Sequence, residues 1–112
     1  MDTDNTVQLI KLALDACDMR QIALASNMAN IHTQNYQAIS VNFEEQLDKG
    51  SALKKLDLSS IKPFYQTEDI KLSPDSLLAE GLKNMTHYRA LMRGLNQKLS
   101  ILKIALHGNS SS

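Results

Sequence analysis

Apolar residues recur at alternating steps of three and four near the start of the chain: Val7, Ile10, Leu14, Cys17, Leu24, Met28 and Ile31, with Gln21 the single polar break. This is the repeat of a helix with a coiled-coil seam. Asn5 followed three residues later by Gln8 suits a capped start, so the pattern predicts a helix from about Thr6 to Ile31, roughly 40 Å long. A second line, Leu9, Leu12, Ala16, Met19 and Ala23, lies about 200° round the same helix. Two nearly opposite faces are therefore apolar.

The C-terminal part repeats the motif. Ser73 can cap a helix, Pro74 fits its first turn and Asp75 complements its positive end. A second seam then runs through Leu78, Gly81, Met85, Tyr88, Met92, Leu95, Leu99, Leu102 and Leu106, with Gly81 its weak position. It is expected to stop at His107-Gly108, where a basic residue meets the negative helix end and glycine can turn left-handed, leaving Asn109–Ser112 as a polar tail.

Between the helices, from His32 to Leu72, the heptad is lost. Ser40–Leu47 reads as a short helix with Phe43 and Leu47 on one side, ending towards Gly50. Lys54-Lys55 and the stretch from Ser59-Ser60 to Pro63 read as solvated loop, and Phe64–Thr67 as a short extended piece. The expected fold is all-α, with two long terminal helices packed as a coiled-coil-like hairpin around a short irregular middle. Residues 1–36, 37–72 and 73–112 are its successive parts, within one structural domain. A hairpin covers only one of the two seams on the first helix, and each exposed Leu or Met forgoes roughly 1.5–3 kcal/mol of burial. The middle segment or neighbouring subunits must cover the other, and the polarity of the middle favours subunits.

Twelve basic and twelve acidic residues give no net charge, so nothing draws the chain electrostatically onto nucleic acid or an anionic membrane. No apolar run reaches about 18 residues, and Met1–Asp4 lacks the basic flank of a secretory signal, so any export is expected to use another route. Cys17 has no disulfide partner and reads as a small core residue, because a thiol nucleophile needs a positioned base and His32, His87 and His107 are scattered. Those histidines have no i, i+4 partner for zinc, and His87 suits a helix surface. Glu44-Glu45 and Glu68-Asp69 sit among polar residues, and the four glycines form no phosphate-cradling loop. Met19, Met28, Met85 and Met92 fall on helix seams as gap-filling side chains. These patterns favour a non-enzyme without a cofactor, either an assembling structural subunit or a soluble helical adaptor or secretion chaperone; a thiol enzyme built on Cys17 is a different class and the least favoured.

The segment Ala25–Ala38, followed by Val41-Asn42-Phe43-Glu44, resembles the N-terminal signature of flagellar rod and hook proteins, with Asn27, Ala29, Asn30, Thr33, Tyr36 and Ala38 as direct matches. Asn and Thr side chains in this stretch can satisfy backbone groups where a long helix ends, and Tyr36 can anchor the exit. Gln34-Asn35 stands where the family carries Pro-Gly, and Asn35 tolerates a left-handed conformation. Glu80, Asn84, Tyr88, Ala90, Leu95, Lys98, Leu102, Ala105 and Leu106 resemble the family's closing helix, although Gly81 stands where methionine is common. The resemblance implies a self-assembling subunit at the proximal end of the flagellar basal-body rod, exported by the flagellar type III apparatus without cleavage into the periplasmic part of the structure. Its implied partners are further copies of itself, other rod proteins, the protein joining the rod to the membrane ring, and the export apparatus. No catalytic, cofactor or metal residue comes with it. On this reading Asn27, Ala29, Asn30, Thr33, Tyr36 and Phe43 form a helix-stop motif. The subunit-packing set is Val7, Leu9, Ile10, Leu12, Leu14, Met19, Leu24 and Met28 on the first helix, and Met85, Tyr88, Met92, Leu95, Leu99, Leu102 and Leu106 on the last.

Overall fold

A computed structural model describes residues 3–52 and 57–110. Its order is α1 (Thr3–Ala29), β1 (Ala38–Asn42), α2 (Glu44–Ala52), a 3-10 turn at Leu58–Ser60, β2 (Phe64–Glu68) and α3 (Pro74–Ser110). The molecule is elongated, 66 × 30 × 16 Å, because α3 alone, at 37 residues, spans about 55 Å.

The long terminal helices are as expected, with corrected ends. No glycine or proline separates Thr3 from Val7, so α1 begins at Thr3 and Asn5 lies inside it, not at its cap. It ends at Ala29, two residues before the last expected seam position, Ile31. At the other terminus Gly108 does not turn left-handed; α3 runs through it to Ser110. An interior glycine costs about 1 kcal/mol relative to alanine, which a 37-residue helix tolerates. Ser73 does cap α3, accepting the Ser76 amide at 3.1 Å.

The all-α expectation holds only in part, because the middle segment is not irregular. Ala38–Asn42 and Phe64–Glu68 form an antiparallel two-stranded sheet, with Ser40 opposite Gln66 and Val41 opposite Tyr65. The short helix therefore starts later than Ser40. Phe43 is the one residue between strand and helix, its carbonyl accepting the Gln46 and Leu47 amides at 3.0 and 3.3 Å. Glu44 and Glu45 occupy the first turn, where carboxylates complement the helix dipole. Ser59 and Ser60 are exposed, but Leu58, Ile61 and Pro63 around them are buried, so that stretch is no simple solvated loop. Lys54-Lys55 lies outside the described residues.

This middle segment covers the second seam of α1, which corrects the expectation that neighbouring subunits do so. Ala16 and Ala23 meet Val41, Phe43, Leu58 and Ile61 in the core, bordered by Leu9, Leu12, Met19, Ile39 and Leu47. The middle is polar on average, yet it delivers its few apolar side chains to one place. Two alanines on α1 also let it approach closely, which dense packing requires.

The other face of α1 meets α3 in an antiparallel hairpin. Asn84 of α3 donates to the Cys17 carbonyl at 2.9 Å and to Gln21 Oε1 at 3.2 Å, so the polar break in the α1 seam meets a polar break in α3. Leu77, seven residues earlier, lines the same cavity as Ala23, Leu24 and Asn27. The inward-facing line of α3 is thus Leu77, Gly81, Asn84, Tyr88, Leu91, Leu95, Lys98 and Leu102, all buried or half-buried. It shares four positions with the expected seam and is one residue earlier at the alternate ones. Both lines satisfy a three-and-four spacing; the Asn84 bonds accompany this one.

Phe43, 1% exposed, holds β1, α2 and α1 together. Phe43→Ala is expected to lower unfolding free energy by about 3–5 kcal/mol, whereas Ile104→Ala, on the exposed face of α3, changes it by less than about 0.5 kcal/mol. Urea unfolding followed by circular dichroism measures both.

Candidate functional site

The turn after α1 is a hydrogen-bonded cluster whose centre is one side chain. As α1 ends, the Asn30 backbone amide and its Nδ2 both donate to the Ser26 carbonyl, at 3.0 and 2.9 Å. The Thr33 amide then donates to the Asn30 carbonyl at 2.9 Å, and the Thr33 hydroxyl to Asn30 Oδ1 at 3.1 Å. Asn35 takes φ of 62°, the left-handed position that its side chain tolerates, and supplies the reversal for which the family pattern has glycine. The chain returns along α1 at Tyr36.

Asn27, 3% exposed, receives it there. Its Nδ2 donates to the Ile39 carbonyl at 2.9 Å and its Oδ1 accepts the Ile39 amide at 2.8 Å, so the side chain bonds the strand as a neighbouring strand would. Tyr36 donates its hydroxyl proton to the same Oδ1 at 2.7 Å, and the Ser26 hydroxyl lies 3.0 Å from the Tyr36 oxygen. Both lone pairs of Oδ1 are in use, which determines the amide orientation. Of the six expected helix-stop residues, Asn27, Asn30, Thr33 and Tyr36 form this network. Phe43 belongs to the core instead, and Ala29 is exposed in the last turn.

Three interactions that extend this frame had weaker sequence signals. Gln46 clamps Lys62, donating to its carbonyl at 2.9 Å and accepting its amide at 3.3 Å. Arg20 of α1 pairs with Glu44 at the start of α2. Asn84 docks α3. Only the last was open to pattern reading, as a polar residue at a three-and-four position; nothing local to Gln46 or Arg20 names a partner 16 or 24 residues away.

The expected packing residues divide into two groups. Leu9, Leu12 and Met19 border the core, and Val7, Ile10, Leu14 and Leu24 are half-buried; on α3, Tyr88, Leu95 and Leu102 are half-buried on the line facing α1. Met28, Met85, Leu99 and Leu106 are exposed and Met92 is half-buried. With Leu78 and Leu82, the α3 members form an outward apolar stripe interrupted by Arg89, Asn96 and Lys103, and Leu106 is 69% exposed. Carrying the hairpin register from Asn84 places the start of α1 beside Leu99–Ser100. The last ten or so residues of α3, about 15 Å, therefore extend past α1, with Ile101 and Ile104 also open to solvent.

Cys17 is 1% exposed, and burial raises its pKa against the opposing charge of Arg20, so the sulfur is held as an unreactive thiol. Among the described residues no three His, Cys, Asp or Glu side chains gather as metal ligands. No helix among them is long and apolar enough to cross a membrane.

The chain is 30% identical over 121 aligned residues to the flagellar basal body rod protein FlgB of Bacillus subtilis strain 168, an alignment covering 92% of this chain and 94% of that protein. No protein-family model matches the chain.

Asn27→Asp retains the shape and the acceptors but loses the donor to the Ile39 carbonyl, and is expected to destabilise the fold by about 1–3 kcal/mol. Tyr36→Phe, which removes one bond, is expected to cost about 0.5–1.5 kcal/mol. Urea titration of the two variants checks the order. Cys17 is expected to react with a thiol reagent in the folded protein far more slowly than in urea, as absorbance of the released chromophore would report.

Proposed function

The chain belongs to the FlgB family of flagellar basal-body rod proteins, and on that basis we propose that it is a structural subunit of the rod, assembling through its terminal helices at the rod's proximal end. The parts that assemble are residues 1–36 and 73–112, and residues 37–72 brace them. Other copies of the chain, other rod proteins and the junction protein of the membrane ring are its neighbours in the periplasmic rod. It reaches them unfolded, through the flagellar type III export apparatus and without a cleaved signal.

One observation carries the assembly reading: the apolar stripe on α3 and the overhang beyond α1. The middle segment completes the core against α1, so the folded monomer already uses every inward apolar line. The outward residues Leu78, Leu82, Met85, Leu99 and Leu106 remain uncovered. Each would gain roughly 1.5–3 kcal/mol on full burial, and their three-and-four spacing suits another helix lying alongside. A flat charge balance leaves this packing unopposed by long-range repulsion.

In a flagellated bacterium deleted for the gene, the wild-type chain is expected to restore motility and to be found in the rod of purified basal bodies. Leu99→Glu combined with Leu106→Glu is expected to leave the circular dichroism of the monomer unchanged and to abolish both. Motility at the wild-type level with that double variant would overturn assembly through α3. Recovery of the wild-type chain bound to one client at fixed stoichiometry, and absent from basal bodies, would favour the adaptor reading instead.

A further inference from the structure

The two edges of the small sheet are treated differently. On the β1 edge, the Ile39 amide and carbonyl face α1 and are both bonded by Asn27. Because Ile39 faces away from β2, its partner Thr67 faces away from β1, and so does Tyr65 opposite Val41. The amides and carbonyls of Tyr65 and Thr67 thus point out of the far edge, where they have no hydrogen-bond partner among the described residues. β2 packs on β1 and touches α1, and its outward amides and carbonyls make no hydrogen bond to any described residue.

Proteins ordinarily blunt such an edge with lysine, proline or a bulge. Phe64-Tyr65-Gln66-Thr67-Glu68 has none of these, pairs in regular register with β1, and consists largely of residues that favour strands. Phe64 and Tyr65 are 48% and 45% exposed. The outward backbone groups of Tyr65 and Thr67 are intact, and Glu68 at the strand's end is its single charged side chain.

We propose that β2 is a pairing edge whose partner is β2 of a second copy of this chain, the two joining antiparallel into a four-stranded sheet. Self-complementarity selects this occupant. With the twofold axis at Gln66, Tyr65 of each copy lies opposite Thr67 of the other, and all four outward amides and carbonyls on the two strands are used in reciprocal bonds. Phe64 lies opposite Glu68 of the other copy, and Lys62 lies diagonal to that same Glu68, a favourable cross-strand charge relation. A shift centring Tyr65 on itself places Pro63, which has no amide proton, opposite Thr67 and loses bonds. The interface is on the opposite side of β1 from the Asn27 cluster and does not use the α3 stripe, so it is independent of the rod reading.

Cross-linking tests the register. At Gln66 the symmetric pair is a non-hydrogen-bonded one with Cα atoms about 4.5 Å apart, within the span of a disulfide. Gln66→Cys in the full chain is expected to give a disulfide-linked dimer under mild oxidation, and much faster than Thr67→Cys, which is equally placed on the strand but out of register with itself. Sedimentation equilibrium supplies the non-covalent arm. Thr67→Pro removes an outward amide while leaving the bonds to β1, and is expected to weaken self-association at least about tenfold with the monomer's circular dichroism unchanged. The Leu99→Glu, Leu106→Glu variant is expected to dimerise as the wild type does. Equal cross-linking at Gln66→Cys and Thr67→Cys, a wild-type chain that stays monomeric at millimolar concentration, or dimerisation unaffected by Thr67→Pro would each overturn the proposal, whatever the outcome of the motility assay.

Discussion

The amide of Asn27 is the interaction on which the arrangement of this molecule depends. A helix of 27 residues has to end, reverse and hand the chain to a strand lying back against it, and the exposed edge of that strand has to be satisfied where water is excluded. One side chain does both. It faces the Ile39 amide and carbonyl with the donor and acceptor in matching positions, and Tyr36 orients it from the turn. An unpaired buried peptide group costs about 1–3 kcal/mol, so two such groups on one residue are a large fraction of what a domain of this size has in reserve.

The same solution recurs. Gln46 bonds both backbone groups of Lys62, and Asn84 bonds a carbonyl of α1. Side-chain amides therefore pin the strand to α1, the 3-10 segment to α2, and α3 to α1, while the apolar core between them stays small. Hydrophobic burial is non-directional; these amides add register. In the hairpin that distinction is visible, because the apolar spacing of α3 permits two adjacent rotations and Asn84 with Gln21 matches only one.

That rotation determines which surface is left over. With Leu77, Asn84 and Leu91 turned inward, Leu78, Met85 and Leu99 turn outward, and α3 is long enough to carry the stripe beyond its partner. A monomer of this shape has a satisfied interior and an uncovered apolar stripe on its outside. Membership in a rod-protein family is consistent with such a shape, and the packed middle segment gives the two helices a fixed separation before any neighbour arrives.

How much of this was legible in the sequence differs by element. The existence of both long helices followed from repeats sustained over many turns, and the cap at Ser73-Pro74-Asp75 followed from local chemistry that does not depend on the rest of the fold; of Asn35 the sequence said only that it tolerates the left-handed conformation it takes. Asn27, Asn30, Thr33 and Tyr36 were singled out by resemblance to a family motif, and the bonds they make to one another and to Ile39 are facts of the structure. The sheet was half visible: Phe64–Thr67 read as extended, but Ser40–Asn42 read as helix because a strand's identity rests on its partner, here 22 to 26 residues away. The covering of the second α1 seam by Phe43, Leu58 and Ile61 was hidden for the same reason, as average polarity says nothing about where a few apolar side chains converge. Periodicity by itself determined that two apolar lines run along α1 and at least one along α3. Only tertiary packing decided which line faces inward, because a three-and-four repeat places apolar residues on a helix without saying what lies against them.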